Sequence, residues 1–185
     1  MRIEELKQQY QLDLRWVYFP LHPETPAEGV SLITMFAGRY SAAEIAGMQA
    51  NLQQRCAQAG LPYDGSRAFT YNSRMAQELA KWADGLPEGP ALHGALYRAY
   101  FVKGANLADV DVLVDIATEV GLEPKSARHI LAERQYQSEV DADWQRSRSM
   151  GVTGVPTFLV GQQALVGAQP FEQLVQLIET AKATG

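Results

Sequence analysis

The 185-residue chain has the composition of an ordinary globular protein, with 46% hydrophobic and 20% charged residues. Its net charge of −5 and the lack of a Lys/Arg cluster argue against binding to nucleic acid. No apolar run reaches the roughly 18 residues of a membrane helix, and the N-terminal segment lacks the apolar core of a signal peptide. We therefore expect a cytoplasmic protein that binds neither membranes nor nucleic acids.

The single cysteine of the chain, Cys56, limits the chemistry that the sequence can support. One cysteine excludes both an intrachain disulfide and a Cys-x-x-Cys motif. Cys56 ends a stripe of apolar residues at helical spacing, which predicts a small buried hydrophobe rather than a nucleophile. The histidines lack the paired spacing of metal ligands on one helix face, so we predict no metal site, and we also predict no cofactor.

The first elements in chain order are a short helix and a strand. Residues 2–9 have apolar positions on one side of a helix, whereas residues 12–19 alternate apolar and polar positions before they become fully apolar. Pro20 and Pro23 end this pattern because proline cannot donate a hydrogen bond to a ladder. The sequence therefore predicts a strand at residues 12–19, followed by a loop.

Residues 32 to about 148 have helical periodicity almost throughout. Ser41 precedes the first long helix, and Glu44 three residues later predicts a capping box. That helix carries an apolar stripe that we expect to face the core: Ile45, Met48, Leu52 and Cys56. Further helices are predicted at residues 72–82, 91–101 and 109–120, then from Pro124, and at about residues 136–150.

The pattern changes at Gly151. Residues 157–160 predict a short apolar strand, and residues 164–166 predict a second one. Because the turn between them is tight, we expect an antiparallel hairpin. A terminal helix begins at Pro170. A helical block between two sheet-forming parts predicts an α/β domain that carries a helical insertion.

The segment Gly151-Val-Thr-Gly-Val-Pro156 places a proline between a flexible loop and a strand. This position makes the Val155–Pro156 peptide bond a candidate for the cis form, although the local sequence leaves cis and trans equally open. A cis bond would turn the neighbouring amide and carbonyl groups outward, where an extended substrate can pair with them.

The same segment and the residues after it resemble a known family. Gly151-Val-Thr-Gly-Val-Pro-Thr-Phe158, a hairpin, and Gly167-Ala-Gln-Pro170 before the last helix are similar to the C-terminal half of DsbA-family thioredoxin folds. The similarity is greatest to the FrnE-like branch. Three other stretches are similar to that branch: Arg15-Trp-Val-Tyr-Phe-Pro-Leu-His-Pro23, Ala99-Tyr-Phe-Val-Lys-Gly104 and Val120-Gly-Leu122. The resemblance therefore spans essentially the whole chain.

The resemblance implies a thioredoxin-like α/β sheet with an inserted all-helical subdomain. The thioredoxin-like part would comprise residues 1–29 and 151–185, and the helical insertion residues 30–150. The family function implied is thiol–disulfide exchange with a thiol- or disulfide-bearing peptide or a small thiol. In that family the proline before the strand is cis and faces the reactive cysteine, so Val155 and Pro156 would bind the substrate.

The chain departs from the family at its N-terminus. Family members begin with a strand that ends in Cys-x-x-Cys at the start of the first helix, whereas this sequence starts inside that helix. We therefore assign no catalytic residue and expect the chain as written to be inactive. The absent strand is central in the family's sheet, which leaves three hypotheses. The true start lies upstream, or a homo-oligomer exchanges strands, or the domain is a non-catalytic peptide-binding module.

A second enzyme class remains open from the sequence. Glutathione-dependent isomerases and kappa-type transferases share the inserted-helix architecture and use a single residue, such as serine, in place of the dithiol. After the cis proline their sequences usually continue toward Trp-Gly-x-Asp-Arg before the last helix. This chain has Val166-Gly-Ala-Gln-Pro170 there, which is similar to the oxidoreductase branch.

Overall fold

The computed structural model describes residues 2–184, which fall into two compact units. Residues 2–21 and 142–184 form the first, which we call the hairpin unit, and residues 22–141 form the second, which we call the helical unit. The elements in chain order are α1 (Arg2–Tyr10), β1 (Val30–Ser31), α2 (Leu32–Phe36), α3 (Ala42–Gln58), β2 (Phe69–Thr70), α4 (Arg74–Ala83), α5 (Gly89–Phe101), α6 (Val110–Glu119), α7 (Pro124–Ala132), α8 (Gln137–Ser149), β3 (Thr157–Val160), β4 (Gln163–Val166) and α9 (Phe171–Thr184). The predicted domain boundaries, with an insertion at residues 30–150, stay a prediction.

The hairpin unit is built on the antiparallel pair β3–β4, as the tight turn predicts. Thr157 pairs with Val166 and Val160 with Gln163, so two residues form the turn, and Gly161 adopts a φ of +60° that suits glycine. Helix α9 packs on both strands. A small core holds these elements and α1 together, with Leu6, Leu174 and Ile178 each 3% exposed. Partly buried apolar residues surround it: Ile3, Tyr10, Leu12, Phe158, Val160, Leu165, Phe171 and Val175.

Residues 12–19 do not form the predicted strand, and neither sheet of the part that the structure describes includes them. Within the hairpin unit, the main chain of this segment makes contacts to helix α8 instead. The Tyr18 N–H donates to the Asp143 carboxylate at 3.4 Å, and the Ser147 hydroxyl donates to the Tyr18 carbonyl at 3.3 Å. The prediction of a strand at residues 12–19 is therefore wrong, because an alternating pattern carries no information about whether a partner strand is present.

The helical unit has its core among helices α4 to α7. Four leucines, Leu79, Leu92, Leu113 and Leu131, are fully buried, one on each of these helices. Pro124 opens α7, as expected for a residue whose missing N–H is not needed in the first turn. The unit also contains one short strand pair, in which Val30 lies opposite Thr70 and Ser31 opposite Phe69.

A buried carboxylate, Glu78, links three segments of the helical unit. Its side chain is completely buried and accepts hydrogen bonds from Arg74 at 2.6 Å and from Arg134 at 2.6 and 2.7 Å. Arg74 also donates to the Asp141 carboxylate at 2.7 Å. Burial raises the pKa of Glu78, but the hydrogen bonds and charges of the two arginines outweigh burial and lower the pKa below its ordinary value. The carboxylate is therefore ionised inside the unit.

Helix α3 begins with the predicted capping box but is much less buried than the sequence suggests. Ser41 accepts from the Glu44 N–H at 3.3 Å, and the Glu44 carboxylate accepts from the Ser41 N–H at 2.7 Å. In the predicted core stripe only Ile45 is buried, whereas Met48 and Leu52 are each 41% exposed and Cys56 is partly exposed. The prediction that the stripe faces the core is wrong beyond Ile45, because helical periodicity shows which face is apolar but not what covers it.

Candidate functional site

The loop before β3 has a defined shape, and its last two residues are exposed. The Val155–Pro156 peptide bond is cis, and Val155 is 50% exposed. The Thr157 hydroxyl donates to the Gly154 carbonyl at 2.7 Å, which ties the strand to the loop. Gly151, where the loop leaves α8, has a φ of +70°, in the left-handed region that favours glycine.

The main chain of β3 presents one paired edge and one open edge. The Gly167 N–H donates to the Pro156 carbonyl at 2.7 Å, so the ladder to the chain after β4 begins one residue ahead of β3. Because antiparallel partners alternate, Phe158 and Val160 direct their main-chain groups toward β4, and Thr157 and Leu159 direct theirs toward the opposite edge. No strand among residues 2–184 pairs with that edge.

Val155, in the loop before β3, also has open main-chain groups. Neither its N–H nor its carbonyl group has a hydrogen-bond partner within the part of the chain that the structure describes. A half-exposed residue with both main-chain groups open can donate one hydrogen bond from its N–H group to an extended peptide and accept another at its carbonyl oxygen. We call Val155, Pro156 and the open edge of Thr157 and Leu159 the β3 site.

The β3 site consists of open main-chain groups and contains no thiol. Its side chains are apolar apart from the Thr157 hydroxyl, which is engaged with Gly154. The one thiol of the sequence, Cys56, belongs to α3 in the helical unit. His93 is paired with Asp84 at 2.9 Å, and no metal-binding group of three or more His, Cys, Asp or Glu side chains occurs within residues 2–184.

Sequence reasoning predicts Val155 and Pro156 as substrate-binding residues, which stays a prediction, and it does not indicate the open edge that follows them. Which residues of a strand face an unpaired edge depends on the ladder register, and the register is set by the two-residue turn at Gly161. The same sequence pattern is compatible with a second partner strand on that side. The two-residue turn is the sequence signal that could have identified the residues at the open edge, because its length fixes the register of the hairpin.

The β3 site stands at the start of the β3–β4 hairpin, which the terminal helix α9 follows. This is the C-terminal arrangement of a thioredoxin-like α/β fold with an inserted helical region. Residues 1–179 match the family described as the DSBA-like thioredoxin domain. The chain belongs to this family. No helix within residues 2–184 is long and apolar enough to cross a membrane.

Individual relatives extend the comparison. The chain is 30% identical to the Bacillus subtilis (strain 168) protein YwbO over 95 residues, which are 51% of this chain and 48% of YwbO. The match therefore spans about half the length of that relative. The solved structure of a probable DsbA oxidoreductase from Streptomyces coelicolor is similar with a TM-score of 0.89 and 26% identity, over 98% of this chain and 82% of that one. A 2-hydroxychromene-2-carboxylate isomerase shares the fold, with a TM-score of 0.73 and 19% identity over 99% of this chain and 86% of that one.

Proposed function

We propose that the chain is a FrnE-like thiol–disulfide oxidoreductase relative that binds substrate at the β3 site and has no thiol–disulfide turnover of its own. The observation that carries this proposal is the open main chain of Val155 and of the β3 edge next to it. Membership of the DSBA-like thioredoxin domain family and the similarity to the Streptomyces coelicolor oxidoreductase support the class of substrate. The partner would be a thiol- or disulfide-bearing peptide or a small thiol.

Binding of the substrate main chain and exchange of its disulfide are separate steps, and they need different groups of the protein. In thiol–disulfide exchange a thiolate attacks one sulfur of a disulfide, forms a mixed disulfide and releases the other sulfur as a thiolate. The β3 site would hold the substrate main chain, with the exposed Pro156 ring against one side of it. The one thiol, Cys56, has no second cysteine with which to resolve a mixed disulfide, so a complete cycle needs a dithiol from outside these residues.

Three features of the protein around this site stay predictions. They are the cytoplasmic location, an additional N-terminal strand that carries a dithiol, and strand exchange in a homo-oligomer. An additional strand that paired with the open edge of Thr157 and Leu159 would leave Val155 as the open main-chain residue of the β3 site. The test below uses the chain as it stands, in which both parts of the site are open.

Titration of the 15N-labelled chain with a short, extended, cystine-containing peptide is expected to shift a specific set of amide resonances. Val155, Thr157 and Leu159 should shift because their N–H groups gain hydrogen-bond partners. Phe158 and Val160 provide internal controls, because their main-chain groups already pair with β4 and should shift less. The measurement is a series of two-dimensional NMR spectra at increasing peptide concentration.

A parallel assay of insulin reduction tests the catalytic half of the proposal. We expect the rate with the chain to equal the background rate, and the Cys56→Ala variant to give the same result. Peptide-induced shifts that are absent at Val155, Thr157 and Leu159 would contradict the binding site. Turnover well above background would contradict the absence of intrinsic catalysis.

A glutathione-binding isomerase or transferase is the second candidate, and the fold shared with the 2-hydroxychromene-2-carboxylate isomerase favours it. The lack of a dithiol in the sequence is compatible with that class. The two candidates separate in a thermal unfolding experiment, because a ligand that binds only the folded state raises its stability. Stabilisation by reduced glutathione without any by the cystine peptide would favour the second candidate. A general peptide-binding module would be stabilised equally by the cystine peptide and by a matched peptide without cysteine, whereas the oxidoreductase relative should prefer the cystine peptide.

A further inference from the structure

Helix α3 leaves an apolar groove at its surface. Met48 and Leu52 are each 41% exposed although both are large hydrophobic residues. They belong to a shallow, largely open surface along the helix, which we call the α3 groove. Apart from Tyr40, six residues of α3 line it: Glu44, Gly47, Met48, Asn51, Leu52 and Arg55. Exposed apolar side chains that are continuous along one helix face indicate a surface for another molecule.

The six residues form three pairs. In each pair the two residues lie equally far along the sequence from the point between residues 49 and 50. The pairs are Glu44 with Arg55, Gly47 with Leu52, and Met48 with Asn51. If two copies of α3 pack antiparallel about a two-fold axis at that point, each residue faces the other member of its pair on the second helix. The lining of the α3 groove is therefore complementary to itself.

The spacing of the lining residues also fits a contact between two helices. The steps from residue 44 to 48, 51 and 55 are four, three and four residues. This is the repeat of the seam along which helices pack side by side. A single face with that repeat is what an α-helix needs to pack against a second, similar helix over three turns.

Each pair has matching chemistry. Glu44 and Arg55 carry opposite charges, and Arg55 has no ion pair or hydrogen bond to another side chain within residues 2–184. Gly47 leaves room for Leu52 of a second helix, because a Cβ atom added at Gly47 would have no other atom within 4 Å. Met48 beside Asn51 places a flexible apolar side chain against a small polar one at the centre. Two-fold symmetry makes each of these contacts occur twice.

We propose that the α3 groove is the interface of a homodimer in which α3 packs antiparallel against α3 of a second copy. This interface involves the helical unit alone and does not depend on the function proposed for the β3 site. A single pair of helices buries less than the about 1,600 Å² of a standard interface. The dimer should therefore be concentration-dependent.

Charge reversal gives a specific test of the pairing. In an Arg55→Glu dimer, each new carboxylate faces Glu44 of the other copy, so two carboxylates meet at both symmetric contacts. In a Glu44→Lys dimer, each new ammonium group faces Arg55 of the other copy, so two cations meet at both contacts. We expect each variant to raise the dimer dissociation constant at least tenfold in analytical ultracentrifugation of the full chain. An equimolar mixture of the two variants should dimerise again, because opposite charges then meet at both contacts. Circular dichroism should show that both variants keep their helices, since Glu44→Lys also removes half of the capping box.

The native Cys56 supplies a second measurement that needs no substitution. Cys56 lies 6.5 residues from the proposed axis, so antiparallel helices place the two Cys56 sites about 20 Å apart along the helix axis, with a lateral separation of about 8–10 Å. Spin labels on Cys56 should therefore give an inter-label distance of roughly 20–35 Å.

Four results would overturn the proposal. They are a chain that stays monomeric at about 1 mM, a dimer that neither charge reversal weakens, a mixture of variants that does not dimerise, and a label distance below about 15 Å, as expected for parallel helices.

Discussion

The Glu78→Ala variant is expected to lose about 3–5 kcal/mol of unfolding free energy, the cost of breaking a buried ion pair by removing one partner. Glu78 is completely buried, and its carboxylate is the common acceptor for Arg74 and Arg134. Its removal leaves two guanidinium groups in a partly buried site without their shared counter-charge. Urea unfolding followed by circular dichroism measures the loss, provided that the m-value is unchanged.

The exposed ion pair of Lys103 and Glu119 is a matched control for this change. The two side chains are 62% and 58% exposed and lie 3.5 Å apart. Glu119→Ala should therefore cost less than about 1 kcal/mol. If Glu78→Ala costs no more than Glu119→Ala, the buried cluster does not stabilise the helical unit.

The stabilisation by Glu78 should be present at neutral pH and lost on acidification, because the pKa of Glu78 is lowered in the folded state. A carboxyl whose pKa is lower in the folded state binds protons more readily when unfolded, so it stabilises the fold above its unfolded pKa of about 4.3. That contribution is lost as the pH falls through the folded pKa. The stability difference between the wild type and Glu78→Gln should thus be full near pH 7 and shrink below about pH 4. A difference that grows on acidification would contradict the lowered pKa of Glu78.

Leu174→Ala is expected to destabilise the hairpin unit by about 2–5 kcal/mol, the usual cost of a large-to-small change in a core. Leu174 is 3% exposed and belongs to the buried cluster of that unit, so its truncation leaves a cavity among the apolar residues that pack around the cluster. Native-state hydrogen exchange measures the effect where it occurs. The amides of β3, β4 and α9 should exchange at least about 30-fold faster, the factor that corresponds to 2 kcal/mol.

Val166→Ala is the control for the core substitution. Val166 lies on β4 of the same unit and is 56% exposed, so its truncation removes little buried area. We expect a change of less than about 1 kcal/mol. Equal acceleration of exchange in both variants would mean that Leu174 does not anchor the unit.

Local signals in the sequence predict local structure well in this protein. The apolar run at residues 157–160 and the glycine after it predict β3 and its turn, and Ser41 with Glu44 predicts the start of α3. These features depend on residues close together in the chain. Their energies are those of a cap or a turn, which neighbouring residues decide.

The features that the sequence does not predict all depend on distant partners. Residues 12–19 form no strand, and the main chain of Tyr18 bonds to side chains of α8 instead. Arg134 binds Glu78, which lies 56 positions earlier in the sequence. Arg134 itself has a φ of +51°, a conformation that no local sequence motif indicates. In the β3 site, Val155 and Pro156 are predicted, whereas the open edge depends on a ladder register that only the folded hairpin defines.

The shortness of β3 affects how the protein should behave in concentrated solution. A long, flat, unpaired edge would recruit identical strands one after another and lead to aggregation. In this chain the edge is only four residues long, bounded by a proline without an N–H group at one end and by the left-handed Gly161 at the other. We therefore expect the protein to stay in solution at high concentration, because so short an edge gives an identical strand few main-chain groups to pair with.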